Sequence, residues 1–398
     1  MDALMTTLPK DWEIKTFRDI STINQGLQIP ISQRLKAPTE HAKFYITIQA
    51  LNNRKEFEYI KTYNESVVCH KDDILMTRTG NTGMVITNIE GVFHNNFFKI
   101  NFDRTLINKD FLVYFLSLEQ TQRTILKKAG TSTIPDLNHN DFYSLTIPLP
   151  PLNEQIAIAN ILSALDRYLC ALDALILKKE GIKKALSFEL LSQRKRLRGF
   201  NQAWQRVKLG TYKYRRGSFP QPYGNPQWYS DNGMPFVQVY DVGENFKLTQ
   251  KTKQKISKIA QPMSVFVPKN SVIITLQGTI GRVALTQYDC YCDRTILIFD
   301  NNTLNDVNKY FFVLSLFTKF EEEKRKADGS IIKTITKQTL KDFEILLPPL
   351  NEQIAIANIL SDLDNEIISL KNKKRQFENI KKALNHDLMS AKIRVLKK

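Results

Sequence analysis

The sequence predicts an α+β protein of two similar bodies, each followed by a long helix. The helices are expected to lie antiparallel as a coiled coil, with the halves related by an internal pseudo-twofold. Three observations carry this. The segments PPLNEQIAIANILSALD (150–166) and PPLNEQIAIANILSDLD (348–364) differ only at Ala164 against Asp362. At the same offset of 198 residues, Ile182-Lys183-Lys184-Ala185-Leu186 matches Ile380-Lys381-Lys382-Ala383-Leu384, and Gly80 and Gly83 match Gly278 and Gly281. Periodicity also changes, from strand-like in the bodies to heptad-like after each repeat.

The chain divides into bodies at 1–149 and 201–347 and helices at 150–200 and 348–398, and 398 residues suffice for two domains with their own cores. In the first body, DILMTRTGNTGMVIT reads as two β-rich runs about a glycine turn, hence a hairpin, and SVIITLQGTIGRVALT repeats it in the second. PFVQVYDV alternates as a half-buried strand does, and FYITIQAL is also read as a strand. Helical patterns follow at KDFLVYFLSLEQTQRTILKK and NKYFFVLSLFTKFEEEKRK. Trp12 in DWEIKTF resembles Trp204 in AWQRVKLG at an offset of 192.

Pro150-Pro151 suits the first turn of a helix, Asn153 can cap it, and Glu154 sits near its positive end. Heptad a positions hold Ile158, Leu165, Leu172 and Leu186. The d positions hold Ile161, Tyr168, Leu175 and Ile182, with Leu162, Leu169, Ile176 and Leu190 beside them. The second copy carries Ile356, Ile359, Leu363, Leu370, Phe377, Ile380 and Leu384, and Glu366 and Lys373 break its d row. Gly181 weakens the first helix. A helix of about 46 residues, roughly 70 Å at the usual rise, outruns one body, so the two helices are expected to cover each other's stripes and hold the bodies apart.

The net charge of +17 points to a polyanion partner. By segment it is +1 over 1–150, +4 over 151–200, +8 over 201–348 and +4 over 349–398, so the second half carries the excess. No apolar run reaches membrane-spanning length. The start MDALMTTLPKDW lacks the pattern of a signal peptide, and four cysteines without regular spacing argue for a reducing cytoplasm. A basic protein with two unlike heads on a rigid spacer suits a duplex with two unlike half-sites.

The order of variable body, PLPPLNEQIAIANILSALD helix, variable body and LLPPLNEQIAIANILSDLD helix resembles the specificity subunit of type I restriction–modification systems, over essentially the whole chain. The resemblance implies that each body is a target recognition domain reading one half of an asymmetric, bipartite double-stranded DNA sequence. It implies helices that set the spacing and dock two modification (adenine methyltransferase) subunits, to which restriction (translocase–nuclease) subunits are added. It implies no catalysis and no cofactor on this chain, S-adenosylmethionine belonging to the methyltransferase subunits, in a bacterial or archaeal cytoplasm.

The residues themselves offer no enzymatic motif. Asn225-Pro226-Gln227-Trp228 lacks the second proline of an Asn-Pro-Pro-aromatic tetrapeptide and reads as a turn. No G-x-x-x-x-G-K-[ST] loop is present, and Glu322-Glu323-Lys324 reads as a solvated helix face. Cys290 and Cys292, and the adjacent Cys69 and His70, lack zinc-pair spacing. His139 and His386 read as polar surface.

Base reading needs polar side chains on loops, and phosphate anchoring needs cations and free N–H groups. The second body offers KYRRGSFPQPYGNPQWY, with Arg215, Arg216, Gly217, Ser218, Gln221 and Tyr223 in one irregular loop. A comb of Lys251, Lys253, Lys255 and Lys258 suits phosphates, and Gln238 and Tyr240 share one side of their strand. The first body offers Gln25, Gln28, Gln33, Arg34 and Lys36, then Asn52, Asn53 and Arg54. Around the glycine turns, Arg78, Asn81 and Thr82 stand opposite Leu276, Thr279 and Ile280, followed by Arg282, with the glycines themselves read as turn formers. The loops AGTSTIPDLN and DGSIIKTITK add Thr131, Ser132, Asn138, Ser330 and Lys333. Three alternatives stay open: a stand-alone sequence-specific DNA-binding protein such as a repressor, a protein-only scaffold, and a self-contained restriction enzyme.

Overall fold

One strand order occurs twice. The computed structural model describes residues 8–52, 57–243, 245–277, 280–326 and 337–395. The chain forms two units, Met1–Asp173 with Asn372–Lys398, and Ala174–Lys371.

In the first unit an antiparallel sheet runs in the order Ser21–Gln25, Phe97–Phe102, Ile74–Thr77, Val85–Ile86. A second sheet runs Tyr59–Ile60, Lys43–Ile46, Gly91–Phe93, Val68–Cys69, with Lys43–Ile46 parallel to Gly91–Phe93. The second unit repeats both orders: Tyr214–Arg216, Ile296–Phe299, Val272–Thr275, Val283–Leu285, and Gln254–Ile256, Tyr229–Val237, Cys290–Cys292, Val265–Val267. There too one pair is parallel, Phe236 against Tyr291. Both expected hairpins form: Met76 pairs with Val85, and Ile274 with Val283. Gly80 and Gly83 turn the first with φ of +67° and +91°, which glycine tolerates without strain. Two expected strands are shorter than read. FYITIQAL gives way to a helix at Ile48–Asn52, and PFVQVYDV leaves its strand after Val237, so Gln238 caps a 3-10 turn, Val239–Asp241, that contains Tyr240.

Each body closes on a two-stranded ladder between its first strand and the strand before its long helix, Glu13–Thr16 with Thr146–Leu149 and Gln205–Lys208 with Glu344–Leu347. The long helices run Leu152–Leu191 and Leu350–Met389, each 40 residues rather than about 46, and Gly181 lies within the first without breaking it. Their repeated opening has a specific cause. Gln155 Oε1 accepts from Asn108 N at 2.9 Å while its amide donates to Leu106 O and Pro150 O; Gln353 does the same to Asn308 N and Pro348 O. Asn153 and Asn351 accept from the N–H of the next residue. The repeated motif therefore pins each helix to the body before it.

In the first unit Ile158, Ala159, Leu162, Leu388 and Met389 join the core around Phe111 and Phe142. In the second, Leu190, Leu191, Ile356, Ala357 and Leu360 join the core around Phe311 and Phe312. The helices pair antiparallel within each unit: Asp166 meets Lys381 and Asp173 meets Lys374 in the first, while Lys179 meets Glu366 and Lys183 meets Asp364 in the second. Tyr168 packs against Phe377 with the rings tilted and their centroids 4.7 Å apart.

The expected d row is corrected. Leu175, Ile182 and Ile380 are exposed, whereas Leu162, Leu172, Ile176 and Leu360 are buried and Leu165, Leu169, Leu186, Ile161, Ile359, Leu363, Leu370 and Leu384 are half-buried. A straight helix drifts about 20° per heptad from a strict seven-residue repeat, so the covered stripe moves off the a/d row.

Candidate nucleic-acid interface

The sequence candidates fall into three groups by where folding puts them. Several are structural pins. Arg34 donates Nε and Nη2 to Ile29 O at 2.9 and 2.7 Å and Nη1 to Glu58 at 3.0 Å, over the Tyr45 ring. Arg78 grips Asp136 with Nε and Nη2 at 3.1 and 2.6 Å. Thr82 is buried and donates to Arg78 O and Pro135 O. Arg282 donates to Val242 O at 3.1 Å. In the second body the counterparts of the turn residues, Leu276 and Ile280, are buried apolar side chains.

A second group supports other loops. Tyr223 donates to Asp293 beneath Arg294, and burial together with this bond pushes its phenol well above the usual range. Ser218 donates to Met263 O, Gln25 to Asn95 O, and Tyr240 to Gln238. Asn138 caps a short helix by accepting from Asp141 N. Gly217, a candidate for close backbone approach to DNA, has another role. It instead lets the chain's own backbone approach, since a Cβ there would sit 2.3 Å from Cys292 O and Asp293 O, as at Gly26 against Phe93 O and His94 O.

The third group faces solvent: Arg216, Gln221, Lys251, Lys253, Lys255, Lys258, Gln28, Gln33, Lys36, Asn52, Asn81, Thr131 and Ser132 are exposed. Arg215 and Arg216 lie on the edge strand Tyr214–Arg216 rather than in an irregular loop, and Arg215 reaches Phe266 O at 3.1 Å. The lysine comb alternates outward about the strand Gln254–Ile256. Buried Asp241 holds its base by accepting from Gln238 N and Lys253 N at 2.9 Å each, and burial raises its carboxyl pKa. Asn53, Arg54, Gly278, Thr279, Ser330 and Lys333 lie outside the described residues.

Other candidates behave locally. Asn225 caps the 3-10 turn Pro226–Trp228, and Cys290 and Cys292 share a buried strand face. His139 packs on Phe98, and His386 meets Asp387. Among the described residues no three metal-ligating side chains gather, and no helix is long and apolar enough to cross a membrane.

The two bodies thus share a scaffold and differ in what they expose. Comparison with known proteins fits that pattern. A family model described as the type I restriction modification DNA specificity domain matches residues 9–210 and 222–379. The type I restriction enzyme MjaVIII specificity subunit of Methanocaldococcus jannaschii is 25% identical over 98% of this chain and 94% of its own length. The crystal structure of a type I restriction–modification S subunit from M. genitalium has a TM-score of 0.62 at 16% identity, covering 98% of this chain and 99% of that one. A chain solved in work on complex assembly and conformational transition of the type I system has the same TM-score, 0.62, at 17% identity over 96% and 99%.

Proposed function

Because the chain belongs to the type I restriction–modification DNA specificity family, and is a specificity subunit rather than an enzyme in its own right, we propose that each body reads one half of an asymmetric, bipartite DNA target. The long helices in this reading fix the spacing and dock two adenine methyltransferase subunits, which hold S-adenosylmethionine, with restriction subunits added to that assembly.

One observation carries the reading. In the repeated helix motif, Ile156 and Asn160 are exposed, and so are their identical counterparts Ile354 and Asn358. Packing accounts for identity at buried positions such as Ile158 and Ile356. It does not account for identity at exposed ones. A partner that binds the same surface twice does. The exposed residues of the bodies are unlike each other, as two readers of different half-sites would be.

The test is genome-wide mapping of methylated adenines in cells carrying this chain and its methyltransferase. One split, asymmetric motif is expected. A continuous motif, a palindrome or no motif overturns the reading.

A further inference from the structure

In both bodies one residue of a sheet's outermost strand is met twice by the chain, with a short segment looping out between the two meetings. In the second unit Tyr229 pairs with Ile256, and after a register shift Met234 pairs with Ile256 again, so 230–233 are ejected. In the first unit Leu35 exchanges both backbone hydrogen bonds with Tyr59, and 36–42 then loop out before Lys43–Ile46 pairs on the other edge of that strand, Lys43 with Ile60 and Phe44 with Tyr59. Each looped-out segment lies beside the outermost strand of its sheet. Irregularities of this kind at a sheet edge re-aim side chains.

The shorter excursion is held in place. A Cβ at Gly233 would sit 2.1 Å from Ile256 O, so the base closes only around a glycine. Lys255 Nζ donates to Asp231 O at 2.8 Å, which ties the tip to the lysine comb. Ser230, Asp231 and Asn232 are exposed, and none of their side chains has a hydrogen-bond partner among the described residues. Tyr223, Gln238 and Arg282, by contrast, are engaged with protein.

The chemistry of the tip complements that of its flank. An asparagine can pair with an adenine edge through two bonds, an aspartate accepts from cytosine, and serine serves either base. Lysines grip phosphates and carry no sequence information. A short polar finger beside a cationic comb therefore has the two parts that groove reading needs. The first unit's excursion is longer, 36–42 against 230–233, and carries different residues, as a reader of another half-site should.

We propose that Ser230, Asp231 and Asn232 form the base-reading finger of the second unit, with Lys251 and Lys253 holding flanking phosphates, and that 36–42 is the corresponding finger of the first. This rests on the reading of the chain as the DNA-recognising subunit.

The experiment maps methylated adenines for the full chain with its methyltransferase, as wild type, S230A, D231A, N232A, the triple variant, and T39A. Asn232→Ala is expected to relax one position of one half-site by roughly 5- to 150-fold and leave the other half-site unchanged. Thr39→Ala is expected to affect only the other half. Wild-type preference in both halves for every variant of 230–232 would overturn the proposal, and the single variants decide it even where the triple variant fails to fold. Absence of a split motif in the wild type would instead sink the reading it rests on.

Discussion

Arg394 donates from Nε and Nη2 to Glu154 at 2.6 and 2.8 Å, and Trp12 Nε1 donates to the same carboxylate at 3.1 Å. The second unit repeats this with Arg196, Glu352 and Trp204, whose indole also donates at 3.1 Å. Both carboxylates are almost wholly buried, with side-chain exposures of 2% and 0%. The segment after each long helix thus neutralises the glutamate at the start of the other. Removing one partner of a buried pair strands the remaining charge. Arg394→Ala is expected to cost about 2–4 kcal/mol, less than a fully buried pair would because its side chain is 27% exposed. Glu154→Gln keeps an acceptor for Trp12 and should cost less than Arg394→Ala. Urea unfolding of the three proteins checks the order; equal midpoints would remove the latch from the stability account.

The lysine comb makes a separate prediction about salt. Lys251, Lys253 and Lys255 are exposed and alternate along one edge. Each phosphate contact steepens the log–log salt dependence of duplex binding by about 0.9. Replacing Lys251 and Lys253 by alanine should flatten the slope by roughly 2 and leave sequence preference nearly intact, Lys255 being kept because it ties Asp231. Filter binding between low and moderate salt measures this. An unchanged slope would place the comb away from DNA.

Arg34 and Arg216 look alike in sequence, each in a polar stretch near the beginning of its body, yet they should respond differently to mutation. Arg34 makes three hydrogen bonds, to Ile29 O and Glu58, and its side chain is 16% exposed. Arg34→Ala should lower stability by about 2 kcal/mol. Arg216 is exposed on an edge strand. Arg216→Ala should shift stability by no more than about 0.5 kcal/mol and relax preference at one half-site only. Thermal melts and methylation maps of both variants separate the roles. Loss of preference at both half-sites on mutating Arg216 would contradict two independent readers.

These contrasts show where the sequence is legible. The doubled scaffold could be read because Gly80 and Gly83, Trp12 and Trp204, and the PPLNEQ segments fix offsets along the chain. The hairpins could be read because strand periodicity and a glycine turn are local signals. The helix seam was misplaced at Leu175, Ile182 and Ile380, because the a/d template assumes that each helix meets only another helix, whereas Ile158 and Ile356 pack into body cores. Arg34, Arg78 and Arg282 looked like loop readers because their partners are remote or are backbone atoms: Ile29 O, Asp136 and Val242 O. The ejected tip at 230–233 was missed because a register shift exists only relative to a partner strand, and the pairing of Tyr229 and Met234 with one Ile256 leaves no trace in the string SDNG.

The exposed identity of the two helix starts gives the last prediction. Ile156 and Ile354 are each 41% exposed, an apolar surface that water penalises and that no core uses. They directly follow the pinned Gln155 and Gln353, whose hydrogen bonds hold the helix starts rigid. A partner docking there would meet the same preformed patch twice. Ile156→Asp should therefore remove one methyltransferase subunit from the purified assembly and leave the second, Ile354→Asp should remove the other, and the double variant should bind neither. The isolated chain should still bind DNA, because the substitutions touch no body loop. Native mass spectrometry reads the stoichiometry directly. If both single variants retain two subunits, the repeated surface serves some other purpose and the docking assignment fails.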